Sequence, residues 1–502
     1  MLLVKFIGTE FFPETDESQF SIVMRSPIGT RLRITDHYIK QIQDMIKEVI
    51  PAKDIKTIIS NEGLPSGFAS IWSQNTGPDT AQIQVNLVTP DKRKRNDIEL
   101  MNVVRKRIQG AIPGVQTYFI SGGIVSRIMN FGSAAPIDVE LYGYDLGTAA
   151  KEAEVVAALM RKTPGVTDVM ISRRENYPEL DINVDREKAA LAGVNQRTVA
   201  NTVLTSMSSS LNIFPSIFTD PISGNEYYVV VQMDKRFTNN LQNLDNLPLP
   251  TYNGKTIFLK DIASINKGVG PVLIERKYQQ RVIHITANAT GRPLGDVAND
   301  LSNEFAKLKL PPGFYIDMSG EVAQQKGAFL SMFFALMLAI MLIYMIMASQ
   351  FKSLLDPFII MFSVPMGLIG VIWMLFLTNT TLSIESFMGV IMMIGIVVSN
   401  GILLVDYTNR LRGEGIELHE AVIRAGRTRL RPILMTSLAT ILGLIPMAIG
   451  FGTGSETNMP LARAVIGGLL VSTFLTLLLI PTLYTVFEEK FKRSIKQDEE
   501  LK

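Results

Sequence analysis

The chain has 502 residues, 47% of them hydrophobic and 19% charged, with a net charge of +2 and no cysteine. Its length suggests about three domains, and its charge balance excludes a strongly basic nucleic-acid footprint. The missing thiols exclude disulfides, cysteine-ligated metals and cysteine nucleophiles. Only three histidines occur, His37, His284 and His419, widely separated, so an all-histidine metal centre is not expected and no metal ligand set is assigned.

The averages hide a segregation. Between Ala328 and Asp406 the only charged residues are Lys352, Asp356, Glu385 and Asp406, and between Pro432 and Phe487 they are Glu456 and Arg463. Everything before Ala328 has the mixed charge of a water-exposed lobe. The opening run Met1–Gly8 is too short for a signal peptide or a spanning helix.

From residue 20 to 320 one unit repeats: a strand, an amphipathic helix, a proline-containing turn and a second strand. The first strands read as Phe20–Arg25, Ala81–Val88, Ile137–Tyr142 and Arg281–Ala287, each with two-residue alternation. The turns are Val49-Ile-Pro51-Ala, Ala111-Ile-Pro-Gly114, Lys162-Thr-Pro-Gly165 and Leu310-Pro-Pro-Gly313; proline stops a helix and glycine permits the turn. Paired units of this kind predict four-stranded sheets backed by two helices, the split βαβ or ferredoxin-like arrangement. The first pair is contiguous over 18–134. The second is interrupted, occupying 135–178 and 266–327, with a separate block at 179–265 whose turn-rich Phe214–Asn225 reads as a protruding hairpin.

One loop, 61–77, combines mobile glycines, Gly67 among them, with Phe68 and Trp72, followed by Gln74. It reads either as a ligand-contacting gate or as a surface loop pinned by two aromatics. No nucleotide loop, serine elbow or paired-carboxylate motif is present, so an enzyme is not expected.

Five apolar stretches, about Ala328–Ser349, Pro357–Thr378, Phe387–Val405, Pro432–Phe451 and Ala464–Phe487, are long enough to cross ~30 Å of hydrocarbon as helices. Arginines in 409–431, which reads as a loop, lysines and arginine after Glu489, and Lys352 fall on one side. By the positive-inside rule that side is cytoplasmic, which puts residues before 328 outside. Ser363, Gly367 and Gly370 suit close helix packing, while Pro365 and Pro446 interrupt the helical ladder and Pro432 suits a first turn. At depth stand Ser399 and Asn400, and Thr436 with Ser437 and Thr440; Arg429 lies two turns before Thr436. They form either an internal polar track, or hydroxyls bonded to their own helix with arginines as topology anchors.

Taken with Gly8–Asp16, Gln74-Asn-Thr-Gly77, Asp181–Ala189, Gly395–Asp406 and above all Arg429-Leu-Arg-Pro-Ile-Leu-Met-Thr-Ser437, the chain resembles the C-terminal half of a resistance–nodulation–division efflux transporter of the hydrophobe and amphiphile multidrug branch. The resemblance covers essentially the whole chain. It implies an α+β membrane protein of the bacterial inner membrane, with periplasmic porter subdomains at 18–134 and at 135–178 with 266–327. It further implies a docking subdomain at 179–265, a five-helix bundle at 328–487, a cytoplasmic tail at 488–502, and at 1–17 the stub of a preceding membrane helix. Function would be proton-driven antiport of small amphiphiles, with no cofactor beyond the proton gradient. The partners implied are an N-terminal half, a homotrimer of complete permeases, a periplasmic adaptor and an outer-membrane channel, in contact with the lipid bilayer and no nucleic acid.

In the family's proton relay two aspartates of the N-terminal half meet a lysine, an arginine and a threonine. Arg429 and Thr436 match the last two, Asn400 matches its neighbour, and Ser399 stands at the lysine position. Loop 61–77 would be the switch loop, with Gly67, Phe68, Trp72 and Gln74 as substrate-contact candidates. Alone, the chain is expected not to transport. Heavy-metal export, suggested by 24 methionines, and a translocation-assisting motor are the alternatives; the methionines show no ligand spacing and many are apolar filler.

Overall fold

The computed structural model describes residues 7–13, 15–64, 75–122, 133, 135–238, 240–252, 254–452 and 454–491. Loop candidates Gly67, Phe68, Trp72 and Gln74 lie outside the described residues.

The first unit runs β1 (Gln19–Arg25), α1 (Leu32–Val49), β2 (Ile55–Glu62), β3 (Thr80–Leu87), α2 (Asp97–Ile108) and β4 (Gln116–Ser121). Its strands lie antiparallel in the order β2-β3-β1-β4. Helix α1 forms because Ile39, Ile42 and Ile46 recur at helical spacing and all three are buried. They pack on Phe20, Ile22 and Met24, the inward alternates of β1.

The second unit repeats that plan with β5 (Ile137–Tyr142), α3 (Leu146–Lys162) and β6 (Val166–Ile171). Its later half has the short β11 (Glu275–Lys277), then β12 (Gln280–Ala289), α6 (Leu294–Phe305) and β13 (Tyr315–Ser319). The order is β6-β12-β5-β13, with β11 sharing the outer edge of β12. The expected turns are made where glycine was needed: Gly114, Gly165 and Gly313 have φ of 76°, 91° and 83°, a region costly for residues bearing a Cβ.

Between the halves of the second unit an antiparallel ribbon, β7 (Tyr177–Val184) with β10 (Ala263–Gly270), runs out and back. At its end α4 (Arg186–Leu191) and α5 (Gln196–Met207) join a small core that includes Val194, Val199, Leu244, Leu249 and Leu259. The hairpin of β8 (Ser216–Thr219) and β9 (Glu226–Val229) projects from this block with every residue of both strands exposed.

Buried polar contacts clamp the two sheets together. Arg105 of α2 reaches Asp168 of β6 at 2.7 Å, and Asn288 of β12 donates to the Phe119 carbonyl of β4 at 2.6 Å. Arg174 pairs with Asp79, and Arg25 donates to the Ile171 carbonyl at 2.7 Å.

Five helical spans follow, long and apolar enough to cross a membrane: α7 (Gly320–Phe351), α8 with α9 (Leu355–Met361 and Ser363–Leu377), α10 (Ile384–Gly413), α11 (Leu418–Ile449) and α12 (Met459–Phe491). The architecture is therefore a mixed α+β lobe joined to a helical bundle. Helix α7 starts eight residues before the expected span, and α12 continues to Phe491 beyond the expected end at 487.

Two expectations are corrected. Residues 409–431 are not a loop, because α11 is helical from Leu418 and holds Pro432 in its interior; proline's fixed φ is helical, so the helix continues with one hydrogen bond missing. Of the stub expected at 1–17, residues 1–6 and 14 lie outside the described residues, and residues 7–13 are not helical: Thr9 bridges Leu382, and Gly295 N–H donates to the Thr9 carbonyl at 2.9 Å. Pro365 acts as expected, with α8 giving way to α9 at Ser363. The small residues serve bundle packing. A Cβ on Gly370 would overlap the Gly467 carbonyl, so α9 and α12 meet backbone to backbone.

Candidate functional site

Ser399 and Asn400 are neighbours on α10, so a helix turns them about 100° apart. Asn400 is buried and its Nδ2 donates to Ser437 Oγ of α11 at 3.4 Å. Thr473 of α12 donates to the same oxygen at 3.0 Å, giving a polar junction among three helices. Ser399 is exposed.

Thr436 is also exposed, and its hydroxyl bonds back to the Ile433 carbonyl at 3.0 Å; Thr440 likewise bonds back to Thr436. Arg429 stacks its guanidinium over Tyr407 of α10, 4.8 Å from the ring centroid, and its Nε is buried without a hydrogen-bond partner. The two contacts share one antiparallel register: seven residues back along α10 from Tyr407 is Asn400, and eight residues on along α11 from Arg429 is Ser437. Among the described residues no hydrogen bond joins Arg429, Thr436, Ser399 and Asn400 to one another. Asn400 belongs to an interior junction, while Ser399 and Thr436 lie on an uncovered surface. Burial tells the same story: α10 is enclosed by the bundle over much of its apolar length, and α11 over little of it.

Sequence reasoning did not reach Thr473 and Tyr407. Nor did it reach a network near one end of the bundle: Arg412 pairs with Glu488 at 2.9 Å and donates to Tyr484 at 3.1 Å, while Tyr484 donates to Asn409. Asn409 in turn donates to the buried Asp356 at 3.3 Å. This network ties α8, α10 and α12 together.

A second unforeseen constellation lies on the second sheet, on the face turned away from α3 and α6. Alternation along β5 puts Asp138 and Glu140 on that face, and the β5–β12 register sets His284 directly opposite Glu140. His284 Nδ1 lies 3.1 Å from both Asp138 oxygens and 4.0 Å from Glu140 Oε1. Lys277 Nζ donates to the two Glu140 oxygens at 2.7 and 2.9 Å, and the Tyr142 hydroxyl donates to Oε2 at 2.5 Å. Burial alone would lower the His284 pKa; the Asp138 hydrogen bond and surrounding carboxylates outweigh it and raise it. Burial likewise pushes Glu140 upward, but Lys277, Tyr142 and Ser319 hold it below the usual carboxylate range. The only local signal was the alternation Asp-Val-Glu.

The chain is 29% identical to the cobalt-zinc-cadmium resistance protein CzcA of Cupriavidus metallidurans, covering 96% of this chain and 45% of that protein. It is also 29% identical to the nickel-cobalt-cadmium resistance protein NccA of Alcaligenes xylosoxydans xylosoxydans, covering 99% and 46%. A solved heavy-metal efflux pump superposes with a TM-score of 0.80 at 26% identity, covering 97% of this chain and 49% of that one. The chain thus spans about half the length of these relatives. They give no support to the hydrophobe and amphiphile branch expected above, and do support the heavy-metal alternative. The model of the AcrB/AcrD/AcrF family matches residues 1–488, and the chain belongs to that family of resistance–nodulation–division permeases.

Proposed function

We propose that this chain supplies the C-terminal half of a proton-driven exporter of divalent heavy-metal cations. The observation that carries the reading is similarity to the two metal-resistance proteins along nearly the whole of this chain, over about half of their length. In this reading the two sheet units are periplasmic porter lobes, and the block on the β7–β10 ribbon docks against neighbouring subunits and an outer-membrane channel. The complete permease is a trimer working with a periplasmic adaptor, seated in the bacterial inner membrane with its C-terminus cytoplasmic.

The uncovered face of α11 gives the membrane half its role. A polar side chain facing hydrocarbon is costly, so Ser399 calls for a covering surface, while the Thr436 hydroxyl is bonded to its own helix. A companion half bearing carboxylates would cover it and pair with Arg429, whose Nε lacks an acceptor. Ser399 cannot act as a countercharge there and instead offers a hydroxyl for a water-bridged contact.

The test is metal resistance in a host stripped of its own exporters. The chain alone should leave zinc, cobalt and nickel tolerance unchanged, and co-production with an N-terminal half should restore it. Arg429→Ala should reduce the restored tolerance at least about ten-fold with the two halves still co-purifying. Proton-coupled export by the chain alone in proteoliposomes, or protection of the paired halves against dyes but not metals, overturns the reading.

A further inference from the structure

We propose that the outer face of the second sheet holds one borderline divalent cation between Asp138, Glu140 and His284, with Lys277 as a tethered stand-in that leaves when the metal enters. The three offer one imidazole nitrogen and two carboxylates, and their ligand atoms all lie within 4.8 Å of one another. A four-coordinate ion with bonds of about 2.1 Å sets its ligands about 3.4 Å apart. The observed 3.1 and 4.0 Å bracket that spacing. One imidazole with two carboxylates suits zinc, cobalt or nickel; soft monovalent ions call for thiolate or thioether sulfur.

Charge makes the site more than a polar corner. Asp138 is 5% exposed and Glu140 1%, so each carboxylate needs a positive partner. Lys277 supplies one, from a place suited to letting go: its side chain is 37% exposed and closes β11 at the tip of a tight hairpin. The next two residues, Tyr278 and Gln279, have φ of 52° and 65°. Rotation of the long aliphatic stem takes the ammonium to solvent and frees both Glu140 oxygens. Glu140 stays aimed because Tyr142 donates to it while stacking on Tyr315, ring centroids 4.6 Å apart. That is the outer-sphere support expected of a metal ligand.

All three ligands and Lys277 belong to the second sheet unit, so cobalt binding there is read without transport. Purified chain in detergent is titrated with Co2+, followed by its visible absorption, and in competition with Zn2+. One equivalent should bind with a spectrum of mixed nitrogen and oxygen ligation. His284→Gln and Asp138→Asn should each weaken binding by about 10–100-fold. Lys277→Gln should tighten it about ten-fold, because the internal competitor is gone. Lys277→Gln should also melt lower than the parent without metal and regain the loss when Zn2+ is added. Binding unchanged by His284→Gln, or weakened by Lys277→Gln, overturns the site. If either variant fails to fold, the parent spectrum decides, since a band without imidazole ligation overturns it equally. A failed titration leaves the export reading standing, and intact binding with no restored tolerance removes export while the site survives.

Discussion

The two sheet units share one strand order but carry different chemistry on the face away from their helices. In the first, Gln84 donates to Gln19 at 3.0 Å and to Asn86 at 3.2 Å, a neutral amide ladder that satisfies itself. In the second, matching strands present Asp138, Glu140 and His284, which need Lys277 from an outer hairpin to balance them. A self-satisfied ladder has no use for a ligand. A buried charged one is stable only with an added cation, and that dependence is where binding can be built.

Substitutions can break this contrast. The largest effect is expected where the units touch. Arg105→Ala leaves Asp168 buried without its cation and should cost about 3–5 kcal/mol in urea unfolding of the purified chain. The double replacement Arg105→Ala with Asp168→Ala should recover part of it. Next, Gln84→Glu puts a carboxylate into the amide ladder with no lysine to meet it, and should cost about 1–3 kcal/mol. The mirror change, Glu140→Gln, should cost under about 1 kcal/mol without metal, since Lys277 can return to water. An equal cost for both would erase the distinction between the faces.

The first unit does keep an acidic pair, but off its sheet, at the start of α2. Burial and the neighbouring Asp16 charge raise the Asp97 pKa to about 7, with Arg93 opposing them. Its Oδ1 is buried without a partner. The folded protein therefore holds a proton that the unfolded chain releases near pH 4. Stability from this group is present below about pH 4 and is lost as pH rises toward 7. Asp97→Asn should flatten that slope in melting curves taken across the window. The smallest effect belongs to the membrane junction, where Ser437→Ala should cost about 0.6 kcal/mol.

Much of the architecture was legible because it rests on local chemistry. Proline and glycine turns at Gly114, Gly165 and Gly313 marked the units, and long apolar runs marked the spans. Pro432 misled because a first-turn proline and an interior one carry the same local signature, and only the packed continuation of α11 separates them. At Thr436 and Ser437, adjacent hydroxyls differ only in which way the helix turns them against α10 and α12. The Asp138–His284 contact joins residues 146 apart, and a strand register set by the whole sheet places them.

The join between Ser319 and Gly320 leaves no slack between lobe and bilayer: β13 ends on one residue and the 32-residue α7 begins on the next. A rod of that length is about 48 Å long, so a tilt of five degrees at its far end corresponds to a sweep of roughly 4 Å. Ser319 is paired to Asp138 across the sheet, so any tilt of α7 is anchored at the strand beside the acidic one.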